Sequence, residues 1–223
     1  MAALPLLAIC GLVLLLLRLY VVLPAFGTVR RASRRRKGKA AMHAATDKTL
    51  CVVLGSGGHT AEMARLLQGV EFDRYTRRLY IVGEDDALSL DQIAAVEVRS
   101  SVYSGEYFVE RVPRSREVGQ SWASTPLSVA RCLARTARVL LYHRPDVVLC
   151  NGPGNCVVVC VVALVPRILG LKRIPIIYVE TFARVRTLSL SGKLLYPLAD
   201  RFIVQWPQLL GRYPRAEYIP NLV

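Results

Sequence analysis

Gly55-Ser56-Gly57-Gly58-His59-Thr60 is the stretch of this chain whose residue types and spacing could do chemistry. Closely placed glycines let backbone N–H groups and a helix start approach an anionic ligand. A histidine at the mouth of such a turn suits proton transfer on a phosphorylated substrate. Thr60 stands where a dinucleotide fingerprint needs its third glycine, and no Gly-Lys-Ser/Thr follows as in a P-loop. Three other segments carry compatible groups: residues 114–122, 151–155 and 180–186. Together they offer glycines, two arginine pairs and a glutamate, a cradle for a diphosphate with polar groups for a sugar. The candidate site is therefore His59 as the catalytic group. Gly55, Ser56, Gly57, Gly58, Thr60, Arg114, Arg116, Asn151, Gly152, Gly154 and Glu180 are the substrate-binding candidates. Plainer roles compete: Thr60 as a helix N-cap, His59 bonding a carbonyl, Glu62 complementing a helix dipole, Glu180 pairing with Arg184, and one arginine pairing with Glu117.

The elements that must position these residues are legible as alternating patterns. An apolar run at 49–54 reads as a strand, and Met63, Leu66 and Leu67 fall on one face of a following helix. Strands are expected at 79–83, 107–112, 147–150, 174–179 and 202–205, the last of the chain. Helices are expected at 87–97 and 127–143, with residues 156–169 a buried or membrane-facing helix. This order implies a doubly wound, mostly parallel α/β domain over residues 49–223. Its ligand belongs beyond the C-terminal strand ends, at the topological switch point.

Ahead of the domain lies an apolar run from residue 4 to 23, interrupted only by Arg18. About 20 helical residues match the ~30 Å hydrocarbon core, and Arg18 can snorkel to the interface. Arg30, Arg31, Arg34, Arg35, Arg36, Lys37 and Lys39 follow, with no acid before Asp47. Such a run stays in the cytosol and contacts anionic lipid. The expectation is a lumenal stub at 1–3, a single transmembrane anchor at 4–24, a basic linker at 25–48 and a cytosolic domain. A cleaved signal peptide would need a basic segment before the apolar one, which is absent. The net charge of +14 falls unevenly, with +8 in the first 48 residues and +6 in the rest. Membrane lipid explains this better than nucleic acid, whose binding signatures are missing. The six cysteines form no CxxC pair and histidine is scarce, so neither a metal nor another cofactor is expected. Free buried thiols suit a reducing compartment.

Several motifs together carry a family resemblance. GSGGHTAEM after the first strand, PRSREVGQSW after the third, VLCNGPG in the middle and FIVQWP near the end resemble the membrane-anchored subunit of the UDP-N-acetylglucosamine transferase of asparagine-linked glycosylation. The resemblance covers essentially the whole chain. The glycine-histidine turn is also similar to the acceptor half of the bacterial transferase that makes the lipid-linked peptidoglycan precursor. It implies the N-terminal half of a GT-B glycosyltransferase, inactive alone, that holds the acceptor while a separate soluble catalytic subunit brings the UDP-sugar. The implied reaction adds the second GlcNAc to GlcNAc-diphosphodolichol at the endoplasmic reticulum membrane. The resemblance also implies that the C-terminal end, with Ile219, Leu222 and Val223, binds the partner subunit. Two other classes stay open: a membrane scaffold without site residues, and a tethered nucleotide-binding oxidoreductase using Glu84 on a ribose.

Overall fold

The computed structural model describes residues 3–26, 48–99, 105–116, 119–121, 123–152, 154–220 and 222, with side chains from residue 11 onward. The basic run at 30–39, Glu117 and Val223 lie outside the described residues. The elements are α1 (Ala3–Val22), β1 (Thr49–Val53), α2 (Gly58–Gln68), β2 (Arg77–Gly83), α3 (Ala87–Arg99), β3 (Glu106–Val112), α4 (Thr125–His143), β4 (Val147–Cys150), α5 (Gly154–Ile168), β5 (Ile176–Val179), α6 (Leu190–Leu195), β6 (Arg201–Val204) and β7 (Ala216–Tyr218). The seven strands form one sheet in the order β3-β2-β1-β4-β5-β6-β7, parallel throughout. The order reverses between β1 and β4, which places the switch point between the loops that follow them.

Helices cover both faces, which is why β1, β4 and most of β2 are continuous apolar runs rather than alternating ones. On one face α4, α5 and α6 pack over Cys51, Val53, Val148 and Tyr178. On the other, Met63 and Leu67 of α2 with Ile93 and Val96 of α3 cover Leu50, Val52, Tyr80 and Val82. The five cysteines whose side chains are described are all free and buried. Burial pushes the Cys51 thiol up, and the neighbouring Cys156 and Cys160 with burial push Cys150 up. They are packed thiols rather than reactive ones.

Three features differ from the sequence expectation. Phe202–Val204 is not the end of the sheet, because β7 adds an edge strand beyond β6. The short α6 forms inside a stretch that had no assigned element. Arg18 does not extend outward: its Nε donates to the Ile168 carbonyl at 3.0 Å and its Nη2 to that of Arg167 at 3.4 Å. A cation there satisfies carbonyls that the end of α5 leaves orphaned. Among the described side chains of α1 the buried one is Val22, in its last turn, while Gly11 to Arg18 are exposed. The backbone helix runs for 20 residues. Among the described residues no helix is long and apolar enough to cross a membrane.

Candidate active site

The loops after β1 and β4 meet at the switch point. Gly57 occupies the N-cap of α2 with φ 66°, a left-handed conformation that favours glycine. A Cβ added at Gly57 or Gly58 would meet nothing within 4 Å, so the start of α2 is open to a ligand. Gly152 has φ 126°, and a Cβ there would lie 3.1 Å from His59 Cγ. Glycine thus lets the β4 loop close against the imidazole. Asn151, fully buried, is the link between them: its Oδ1 lies 3.2 Å from His59 Nδ1.

The proton positions follow from the rest of that network. Asn151 Nδ2 donates to Glu62 Oε2 at 2.8 Å, and Thr181 Oγ1 donates to Glu62 Oε1 at 2.6 Å. A carboxylate only accepts, so the amide nitrogen of Asn151 must face Glu62 and its oxygen must face His59. His59 therefore carries a proton on Nδ1, which in the neutral imidazole puts the lone pair on Nε2. A half-buried imidazole held in one tautomer by a second residue is the arrangement a general base requires. Glu62 belongs to this site, although its place near the start of α2 suggested only a dipole partner. His59 and Glu62 are three residues apart on one helix, and that spacing was the available signal.

The third loop joins the same end of the sheet. The Ser115 N–H donates to Asn155 Oδ1 at 2.7 Å, and Ser128 Oγ donates to the Ser115 carbonyl at 3.1 Å. This ties residues 113–116 to the start of α5. A Cβ on Gly154 would collide with Ser115 Oγ, so glycine lets that hydroxyl sit against the start of α5. Ser115 and Asn155 are thus site-building residues that motif reading passed over. Arg114 is half-buried with its stem over Gly83 at the end of β2. Arg116 is exposed and donates from Nη2 to the Gln120 carbonyl at 2.9 Å.

Two candidates turn inward. Thr60 is no N-cap: it is buried, and its hydroxyl donates to the Gly55 carbonyl and lies 2.7 Å from Ser89 Oγ. It shapes the glycine turn from beneath. Glu180 is also buried, and its carboxylate accepts from the Ser189 N–H at 3.0 Å, the Ser189 hydroxyl at 3.1 Å and the Thr181 N–H at 3.1 Å. It closes the loop between β5 and α6 rather than pairing with Arg184. Burial holds its carboxyl above the usual range, only partly offset by those donors. At the C-terminus, the Ile219 N–H donates to the Val204 carbonyl at 3.3 Å. Ile219 and Leu222 are half-buried against this domain's own core.

A doubly wound parallel sheet whose loops meet at the switch point is the architecture of each half of a GT-B glycosyltransferase. The structure superposes on Acinetobacter baumannii MurG with a TM-score of 0.50 at 11% identity, over 73% of this chain and 42% of that one. The family model described as "Oligosaccharide biosynthesis protein Alg14 like" matches residues 50–222, and the chain belongs to that family. It is 42% identical to the UDP-N-acetylglucosamine transferase subunit ALG14 of Yarrowia lipolytica, over 95% of this chain and 94% of that protein. The human protein of the same name is 41% identical, over 95% and 93%.

Proposed function

We propose that this chain is the membrane-anchored, acceptor-binding subunit of a two-chain UDP-N-acetylglucosamine transferase, adding the second GlcNAc to GlcNAc-diphosphodolichol at the cytosolic face of the endoplasmic reticulum. The observation that carries the reading is the His59–Asn151–Glu62 chain of hydrogen bonds beside the open Gly57-Gly58 turn. His59 Nε2 takes the proton from the acceptor hydroxyl, whose oxygen bonds to C1 of the donor sugar. The C1–phosphate bond breaks and its electron pair leaves with UDP. The starts of α2 and α5 and Arg114 hold the acceptor diphosphate, supported by their free N–H groups and the fork geometry of arginine. The donor comes with a soluble catalytic subunit, as the names of the relatives as transferase subunits support. The apolar α1 and the basic run after it support a single-pass anchor with the domain in the cytosol. No metal-ligating cluster occurs among the described residues, and the proposed step uses none.

Assays of the purified chain, its co-purifying partner and the reunited pair test this, with labelled UDP-GlcNAc and a short-chain GlcNAc-diphospho-isoprenoid. Transfer is expected only from the pair. Full-rate transfer by the partner alone in detergent would make this chain a scaffold.

A further inference from the structure

The outer surface of α4 and α5 combines exposed apolar side chains with basic ones and no acidic ones. Leu127, Arg131, Ala134, Arg138 and Leu141 fall on one stripe of α4, at helical spacing, and all are exposed. On the adjacent α5, Val161 and Val165 continue to Leu169 just past its end, again exposed. Neither helix contains a single acidic residue. Arg131 and Arg138 make no ion pair among the described residues. The opposite layer differs, since α3 presents the exposed carboxylate of Asp91.

Position gives this surface a partner. The last turn of α1 is fastened to the end of α5, where Arg18 bonds the Ile168 carbonyl and sits beside Gly170. A chain anchored by α1 therefore holds the end of α5 at the bilayer. At its other end, α5 begins at Gly154, in contact with the Ser115 loop of the candidate site.

We propose that the outer face of α4 and α5 lies flat on an anionic bilayer. This inference rests on the proposed anchor. Apolar side chains flanked by arginines match the boundary between acyl chains and anionic head groups. Helices lying in the membrane plane keep the start of α5, and with it the acceptor loops, beside the surface where a lipid-linked diphosphate resides. A domain standing upright on α1 would hold those loops away from that substrate.

The test uses the full chain with its partner subunit, reconstituted in vesicles of phosphatidylcholine and phosphatidylserine containing brominated acyl chains. Leu141→Trp and Val165→Trp are compared with Leu88→Trp, an exposed position on α3 of the opposite layer. Brominated lipid should quench the first two clearly above the background of the native tryptophans, and leave the third at background. Arg131→Glu combined with Arg138→Glu should weaken docking roughly thirtyfold from the lost charges alone, and more from the added ones, and so abolish the quenching in the Val165→Trp chain. Quenching at residue 141 or 165 no greater than at residue 88 overturns the proposal. Alkaline extraction of the same vesicles reads the anchor separately. Release of the chain defeats the anchor and the docking together, whereas retention with unquenched tryptophans overturns the docking alone.

Discussion

His59→Ala should lower transfer by the assembled pair about 10²- to 10⁴-fold, the range that a positioned general base contributes, while the partner co-purifies undiminished. The loss should appear in kcat with the acceptor KM little changed, because the imidazole acts on the proton in flight rather than on the diphosphate. Glu62→Gln should share part of this loss. A glutamine at 62 can present its own amide N–H to Asn151, so the amide orientation and the His59 tautomer are no longer fixed. Unchanged kcat in His59→Ala with normal assembly would favour the scaffold reading. An oxidoreductase would show itself by a nicotinamide bound to the purified chain, and Thr60 at the third glycine position argues against one.

The largest expected stability effect lies away from the site, at the packing of α3 on β2. Arg78 and Glu97 form an ion pair with both side chains almost wholly buried. Arg78 Nε and Nη2 reach Glu97 at 2.8 and 2.7 Å, and Tyr80 donates its hydroxyl to the same carboxylate at 2.5 Å. Burial and the neighbouring carboxylate push the Tyr80 phenol up, so it stays protonated and remains a donor. Glu97→Ala strands a guanidinium in the interior and should cost about 3–5 kcal/mol, a large share of the roughly 5–15 kcal/mol of a typical domain. Urea unfolding of the detergent-solubilised chain checks this. Arg78→Met with Glu97→Leu should recover most of the loss, because removing both charges leaves nothing unpaired. A loss below about 1 kcal/mol in the single variant would mean that water reaches the pair.

Much of the sheet was readable because its central strands are buried on both faces, so apolar runs bounded by turn residues stood out at 50–53 and 147–150. Where boundaries moved, local chemistry explains it. The expected strand at 174–179 begins at Ile176 because Pro175 has no N–H to donate, although its carbonyl still accepts from the Val148 N–H at 2.9 Å. β7 and α6 escaped notice for a different reason. Three edge residues and six helical ones carry too little periodicity, and α6 is held by distant groups, with Ser189 capping Gly192 while Glu180 grips Ser189. The glycine-histidine turn announced itself, whereas its partners did not. Asn151 and Glu62 are 89 residues apart and meet only because β1 and β4 are neighbours in the sheet. Thr60 and Glu180 looked like ligand groups because polar residues at strand ends often are, but each is consumed in holding a loop. Arg78, just ahead of the expected strand at 79–83, is interior only because α3 packs over it and brings Glu97 to it.

The central claim is that the turns after β1 and β4 hold the acceptor rather than the donor. Amide NMR of the isotopically labelled full chain, in nanodiscs with its unlabelled partner, addresses it directly. A short-chain GlcNAc-diphospho-isoprenoid should shift the amides of Gly57, Gly58, Gly152 and Gly154 and the imidazole of His59. UDP-GlcNAc alone should leave those signals in place. Shifts of the same amides by UDP-GlcNAc, with none from the diphosphate lipid, would contradict the account and give this half of the enzyme the donor instead.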